Sequence, residues 1–259
     1  MERPDKQKGT APMKSSGNTI LVTGGGSGIG RELARRWHDF GNTVIVAGRT
    51  AGSLAATAKG HPGIHPMTLD IDDPADIARF AAEIVTRFPR LNVLVNNAGI
   101  MRFEDLTGPR YLADAETMIA TNLLGPIRLT DALIDHLKAR EDGVVINVSS
   151  GLAFVPMPRA ATYSATKAAI HSYTVALRAA LAGAVEVIEI IPPAVQTELT
   201  PGQSTRDGYL PLATYIDQVM AQFETSAPPP EVSVPATLVL RDAEREGRFE
   251  AALAVTSSF

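Results

Sequence analysis

Tyr163 and Lys167 stand four residues apart in the run YSATK, and the segments on either side, AAT before and AAIHSYTVAL after, read as helix. Residues four apart on a helix lie one turn above the other, so a phenol and an ammonium would share one small volume. The lysine charge favours the phenolate, and the expectation is a Tyr163 pKa below its ordinary value near 10. A tyrosine tuned that way is a candidate general acid and base near neutral pH. A surface tyrosine beside a surface lysine has the same spacing, so the pair gains meaning from what accompanies it.

What accompanies it is a glycine loop. Residues 19–23 (TILVT) are an apolar, β-branched run of the kind buried in parallel sheets. GGGSGIG follows at 24–30, and residues 31–40 then carry Leu33, Ala34 and Trp37 at helical spacing. Strand, glycine loop and helix in this order form the context of a dinucleotide fingerprint. Glycines let the backbone turn tightly and approach a pyrophosphate, and the helix start offers unpaired amides to that anion. Gly24, Ser27, Gly28, Ile29 and Gly30 are the candidate contacts; a flexible turn without a ligand is the plainer alternative.

A second strand, 43–47 (TVIVA), ends at Gly48-Arg49-Thr50. Sites that prefer NAD place an acidic residue there for the ribose 2′-hydroxyl, yet no Asp or Glu occurs from 41 to 69. A guanidinium suits a 2′-phosphate by charge and by fork geometry. The reading is NADP(H) preferred, NAD(H) tolerated, with Arg49 and Thr50 as readers, against a merely solvated arginine.

These residues need elements to position them. The 259 residues suffice for one large α/β domain, expected over 18–259 after a mobile leader at 1–17. Strands are expected at 19–23, 43–47, 64–69, 92–95, 143–148 and 185–191. Helices are expected at 31–40, 51–59, 73–87, 114–139, from the 160s to 182, and at 212–225. A last helix at 232–246 and a short strand at 248–253 complete the pattern. Alternation of this kind means a parallel sheet covered on both faces. Apolar residues make up 45% but aromatics only 5%, so the core must be built from Ala, Val, Ile and Leu. A net charge of −4 without a basic block argues against nucleic acid, and no apolar stretch approaches 18 residues, so no membrane span is expected. The absence of Cys removes thiol chemistry, and the five His lack metal-site spacing, so no metal is expected. The polar start has no signal-peptide core, which points to the cytoplasm.

With these residues in hand, the chain resembles the short-chain dehydrogenase/reductase family over about 19–197. TGGGSGIG (23–30), NNAG (96–99), the asparagine of NLLG, a serine thirteen residues before the tyrosine, and YxxxK match in order. NTVIVAGR, LNVLVNNAGI, SSGLAF and VEVIEIIPPAVQTEL are most similar to the DltE-type oxidoreductases. The resemblance implies a Rossmann-like, doubly wound sheet of about seven strands in the order 3-2-1-4-5-6-7, and a homodimer or homotetramer. It implies Asn122, Ser150, Tyr163 and Lys167 as catalytic residues, with Asn122 anchoring a water that leads to Lys167. Asp70 with Ile71 would meet the adenine, and Asn97, Ala98 and Gly99 would support the cofactor. Pro193, Val195 and Thr197 would hold the nicotinamide end, and Tyr163 and Lys167 would touch its ribose. The chain departs from the family in having Pro192-Pro193 where Pro-Gly is usual, and in a divergent tail beyond Thr200.

The expected reaction is hydride transfer between NADP(H) and a carbonyl or secondary alcohol. Substrate loops are expected at about 100–115 and 193–212. Met101 and Phe103 would face Leu152, Phe154, Val155, Pro156 and Met157 across a pocket for an apolar portion, with Arg102, Arg110 and Arg159 the nearby cations. The rivals are a silent NADP(H)-sensing protein, an imine reductase and an epimerase.

Overall fold

The computed structural model describes residues 11–108, 112–225 and 227–258. Seven strands, β1 (Thr19–Thr23), β2 (Thr43–Gly48), β3 (Ile64–Thr68), β4 (Val93–Asn96), β5 (Val144–Val148), β6 (Glu186–Ile191) and β7 (Glu231–Ser233), form one parallel sheet. Their order is β3-β2-β1-β4-β5-β6-β7, so the order reverses between β1 and β4, where a crevice opens beyond the strand ends.

Alternation along each strand sends neighbours to opposite faces. Ile20, Val22, Val44 and Val46 join one apolar cluster with Leu33 and Trp37 of helix α1 (Gly28–Asp39) and Tyr215 and Phe223 of α7 (Leu212–Phe223). Leu21, Ile45 and Leu94 join the other, with Ile77 and Phe80 of α3 (Pro74–Arg87) and Leu129 and Leu133 of α5 (Gly125–Lys138). Asp73 caps α3 by accepting from the Ala75 amide, and Pro74 fills its first turn, a start that needs no donor there. Helix α2 (Ala51–Ala58) closes the β2–β3 crossover.

Three expectations are corrected. The helix expected at 114–139 is two helices, α4 (Leu112–Ile119) and α5, joined by a π-helical turn at Ala120–Leu124. Pro126 lacks an N–H, so a carbonyl one turn earlier, at Thr121 or Asn122, loses its helical donor and the turn widens. The helix expected at 232–246 is instead β7 followed by α8 (Pro235–Arg241), and the strand expected at 248–253 is helix α9 (Phe249–Ser257). Helix formers Glu250, Ala251, Ala252 and Leu253 outweigh the short apolar pattern there. Of the expected leader, residues 1–10 lie outside the described residues. Within 11–17, Met13 is buried and its amide donates to Glu186 at 2.7 Å, while the six residues around it are exposed.

Candidate active site

The β1 strand delivers the chain into the glycine loop, and two of its glycines are required by space. Gly24 has φ +65, and a Cβ on it would lie 2.8 Å from the Ala98 Cα. A Cβ on Gly30 would meet the Gly24 carbonyl at 2.5 Å and the Asn97 amide. The loop and the β4 exit are thus pressed together, and Asn97 locks them: its Nδ2 donates to the Thr23 carbonyl at 2.9 Å. Thr23 Oγ1 in turn accepts from the amides of Asn97 and Ala98. Helix α1 therefore begins at the crevice. Ser27 makes no capping bond and the first turn carries no acid, so its orphan amides suit an anion.

A cleft of about 280 Å3 runs along this loop, lined by Gly24, Ser27, Gly28, Ile29 and Gly30 and by Asn97, Ala98 and Gly99. Its far wall holds Ser150, Tyr163, Lys167, Pro193, Val195 and Thr197. A second hollow of about 180 Å3 continues past Gly24 and Ala98 to Arg49, Thr50, Ser53 and Ile71. Asp70 does not line it; its carboxylate accepts from the Asp72 amide instead. Asp72, which sequence reasoning passed over, takes a bond from Thr121 at 2.6 Å and faces Arg49 at 3.5 Å.

The catalytic candidates converge at the other end. Helix α6 (Ala161–Ala180) carries Tyr163 and Lys167, both buried, toward the end of β5. Ser150 follows β5; its Oγ accepts from the Leu152 amide at 3.1 Å and hydrogen-bonds Tyr163. Lys167 Nζ donates to the Val148 carbonyl at 2.9 Å. Asn122 sits in the π turn, and its side chain clamps Ile100, donating to its carbonyl and accepting from its amide, both at 2.9 Å. It also donates to Thr166 at 3.2 Å. Its side-chain amide is thus engaged within the protein.

The expected fall in the Tyr163 pKa is not what the site does. Burial pushes the phenol up to about 12, a rise the bond with Ser150 partly offsets. Burial also pulls Lys167 down to about 8, opposed by the charge of Glu189. The ammonium lies 5.6 Å from the centre of the tyrosine ring and bonds a carbonyl. Spacing showed the two groups as neighbours; it could not show how dry their surroundings are.

Tyr163 and Ser150 also border a pocket of about 110 Å3, with Met101, Phe103, Leu152 and Met157 on its walls as expected. Phe154, Val155 and Pro156 do not line it. Phe154 packs on His171 and under Arg241, and Val155 is buried with Ala243 and Ala252. Their places are taken by Leu199, Gln203 and Tyr209, from the loop expected at about 193–212, and by Leu240 and Thr256, which sequence reasoning missed. Gln203 ties the loop after β6 together, donating to the Val195 carbonyl at 2.8 Å and to Thr197 at 3.1 Å. No spacing marks these positions, because their role depends on where the tail returns. Among the described residues, no charged side chain lines this pocket. Arg102 lines the cleft, Arg159 lies over the Phe103 ring, and Arg110 falls outside the described residues. Among the described residues His61 groups with His38 and Asp39 on the surface, away from this site. No helix among them is long and apolar enough to cross a membrane.

Known proteins resemble this chain in sequence and in fold. A family model described as short chain dehydrogenase matches residues 18–207. The chain is 40% identical over 197 residues to the uncharacterized oxidoreductase DltE of Bacillus subtilis, covering 75% of this chain and 77% of that one. It is 30% identical over 192 residues to 11-beta-hydroxysteroid dehydrogenase 1A of Arabidopsis thaliana, covering 72% of this chain and 55% of that longer protein. A short chain dehydrogenase from Burkholderia cenocepacia, solved in complex with NADP, superposes with a TM-score of 0.79 at 28% identity, over 93% of this chain and 99% of that one. The chain belongs to the short-chain dehydrogenase/reductase family of NAD(P)-dependent oxidoreductases.

Proposed function

We propose that this protein transfers hydride between NADP(H) and a small, uncharged carbonyl or secondary-alcohol substrate bearing an apolar portion, with Tyr163 as general acid and base. One observation carries the reading: Tyr163 and Ser150 border both the long cleft and the apolar pocket, so one hydroxyl pair faces two chambers. The cleft suits a dinucleotide, because the uncapped start of α1 and the glycine loop offer amides where a pyrophosphate would lie. Gly24, Ser27, Gly28, Ile29 and Gly30 would hold the phosphates, Arg49 and Thr50 the adenosine end, and Val195 and Thr197 the nicotinamide end. Bound there, the nicotinamide would supply the hydride.

The chain's own residues do the rest. Ser150 donates a hydrogen bond to the substrate oxygen, where charge develops. Tyr163 passes its proton to that oxygen; at about 12 it is fully protonated at neutral pH, which suits carbonyl reduction. Lys167 holds the nicotinamide ribose and restores the proton through a water at the Asn122 carbonyl. Leu152, Met157 and Leu240 exclude bulk water and favour an uncharged substituent. Arg49 without an acidic neighbour on its own loop supports NADP(H), as does the NADP bound by the Burkholderia relative. Ile119, Leu124 and Val175, apolar and exposed on α4 to α6, support self-association through that face.

The test is a panel of ketones and aldehydes, neutral and anionic at matched size, with NADPH and NADH, followed by absorbance of the reduced cofactor. Turnover of neutral members with NADPH is expected. Cofactor binding without turnover of any member would favour the silent sensor.

A further inference from the structure

Glu189 is a carboxylate with no exposed surface in the middle of β6, a strand otherwise filled there by Val187, Ile188, Ile190 and Ile191. An uncompensated charge in a sheet core is strongly disfavoured, so its position calls for partners. The inner face of α6 provides them. Lys167, His171, Thr174 and Arg178 recur at helical spacing. Thr174 accepts from Asn147, and Arg178 donates to the carbonyls of Val187 and Pro230. His171 Nδ1 lies 2.9 and 3.1 Å from the two oxygens of Glu189.

The sheet register brings Lys167 into the same group. Asn147 pairs with Glu189 and Val148 with Ile190, so the carbonyl that anchors Lys167 lies one residue along from the strand partner of Glu189. His171 stands one turn beyond Lys167 on the helix. The remaining charges nearby hydrogen-bond mainly with one another, while Arg241 also feels the charge of Glu189, and Glu231 feels His171 and Arg178. Glu231, opposite Glu189 on β7, is held by Arg241 of α8 at 2.9 and 3.2 Å. Phe154 fills the gap between His171 and Arg241.

We propose that Glu189, acting through Lys167, is a positioning residue for the hydride transfer: a buried counter-charge, fixed by His171, that keeps the lysine cationic at the cofactor cleft. This rests on the function proposed above. The reaction needs Lys167 charged in a dry site, and burial works against that charge. Glu189 is the carboxylate that opposes it.

The test is Glu189→Gln in the full-length protein, with Glu189→Asp beside it. NADPH affinity and kcat are measured from about pH 6 to about pH 9.5, a window spanning the wild-type lysine transition. In the wild type both should fall as pH rises through about 8. In Glu189→Gln that limb should move about one pH unit lower, so that kcat drops only about twofold at pH 7 but approaches tenfold near pH 9, with little change in the carbonyl KM. Glu189→Asp withdraws the charge by one methylene and should move the limb part of the way, so either variant that folds carries the test. A merely structural role would lower the melting temperature and leave the limb in place; an unmoved limb in the folded variant overturns the proposal. Wild-type protein that binds NADPH but reduces no carbonyl would refute the reaction alone, because the binding limb still reports on Glu189. Wild type that binds no NADPH would overturn both.

Discussion

Arg49→Ala should cost about 5- to 30-fold in NADPH affinity and leave NADH affinity unchanged. The magnitude follows from three quantities. Hydrogen bonds to a charged group contribute about 1.5–3 kcal/mol. The Arg49 side chain is 56% exposed, so the lower part of that range applies. Its contact with Asp72 at 3.5 Å must be surrendered, and exposed pairs of that kind contribute about 0–1 kcal/mol. The difference, roughly 1–2 kcal/mol, corresponds to the stated fold-change. Calorimetric titration of both cofactors into wild type, Arg49→Ala and Asp72→Asn measures it directly. Asp72→Asn should tighten NADPH by up to about fivefold, because it frees the guanidinium. A 2′-phosphate contact also implies that the NADPH advantage shrinks with added salt. Equal losses for NADPH and NADH in Arg49→Ala, or no loss in either, would refute the reasoning.

Other perturbations follow from the same geometry. Tyr163→Phe removes the proton donor and should lower kcat by about 10²- to 10⁴-fold, with NADPH affinity within about twofold by titration. Gly30→Ala drives a methyl to 2.5 Å from the Gly24 carbonyl and against Asn97; denaturant unfolding should show a loss of about 1–3 kcal/mol together with weakened NADPH binding. Lys167→Met should raise stability near pH 7. The folded-state pKa of Lys167 is depressed to about 8 from 10.5, so below 8 both states hold the proton and the folded state bears the full penalty. Wild-type stability therefore climbs between pH 8 and about 10.5 as the unfolded chain retains more protons, by about 3 kcal/mol in total. Urea unfolding at intervals across that window should show the variant's advantage shrinking as pH rises, and a constant difference would count against the buried-charge account.

Six strands and the glycine loop were legible because they rest on local signals: β-branched runs, helical spacing, and glycines where a Cβ would collide. The alternation of 19–23 and 43–47 with helical segments also defined the two sheet faces. Reasoning failed where structure is set by distant contacts. The sequence 231–234 (EVSV) makes only a three-residue strand, recognisable because β6 is there to pair with it. Pro235 at the start of α8 was a usable signal that was passed over. Phe154 stands four residues after Ser150 in the sequence, yet it packs on His171 and under Arg241 and does not line the pocket. The four-residue spacing of Tyr163 and Lys167 reports distance, whereas desolvation of the phenol is decided by every element packed around the ring.

The last helix has a consequence for how this scaffold can be altered. Thr256 Oγ1 donates to the Pro156 carbonyl at 2.7 Å, a hundred positions upstream, and also borders the chamber beside Tyr163. Leu240 packs so tightly on Gly151 that a methyl there would lie 3.1 Å from it. The chamber beside Tyr163 is thereby walled partly by α8 and α9, while Tyr163 and Lys167 sit on α6 and the glycine loop follows β1. Under the function proposed above, substitutions at Leu240 and Thr256 would change which carbonyl is accepted while leaving Ser150, Tyr163 and Lys167 as they are.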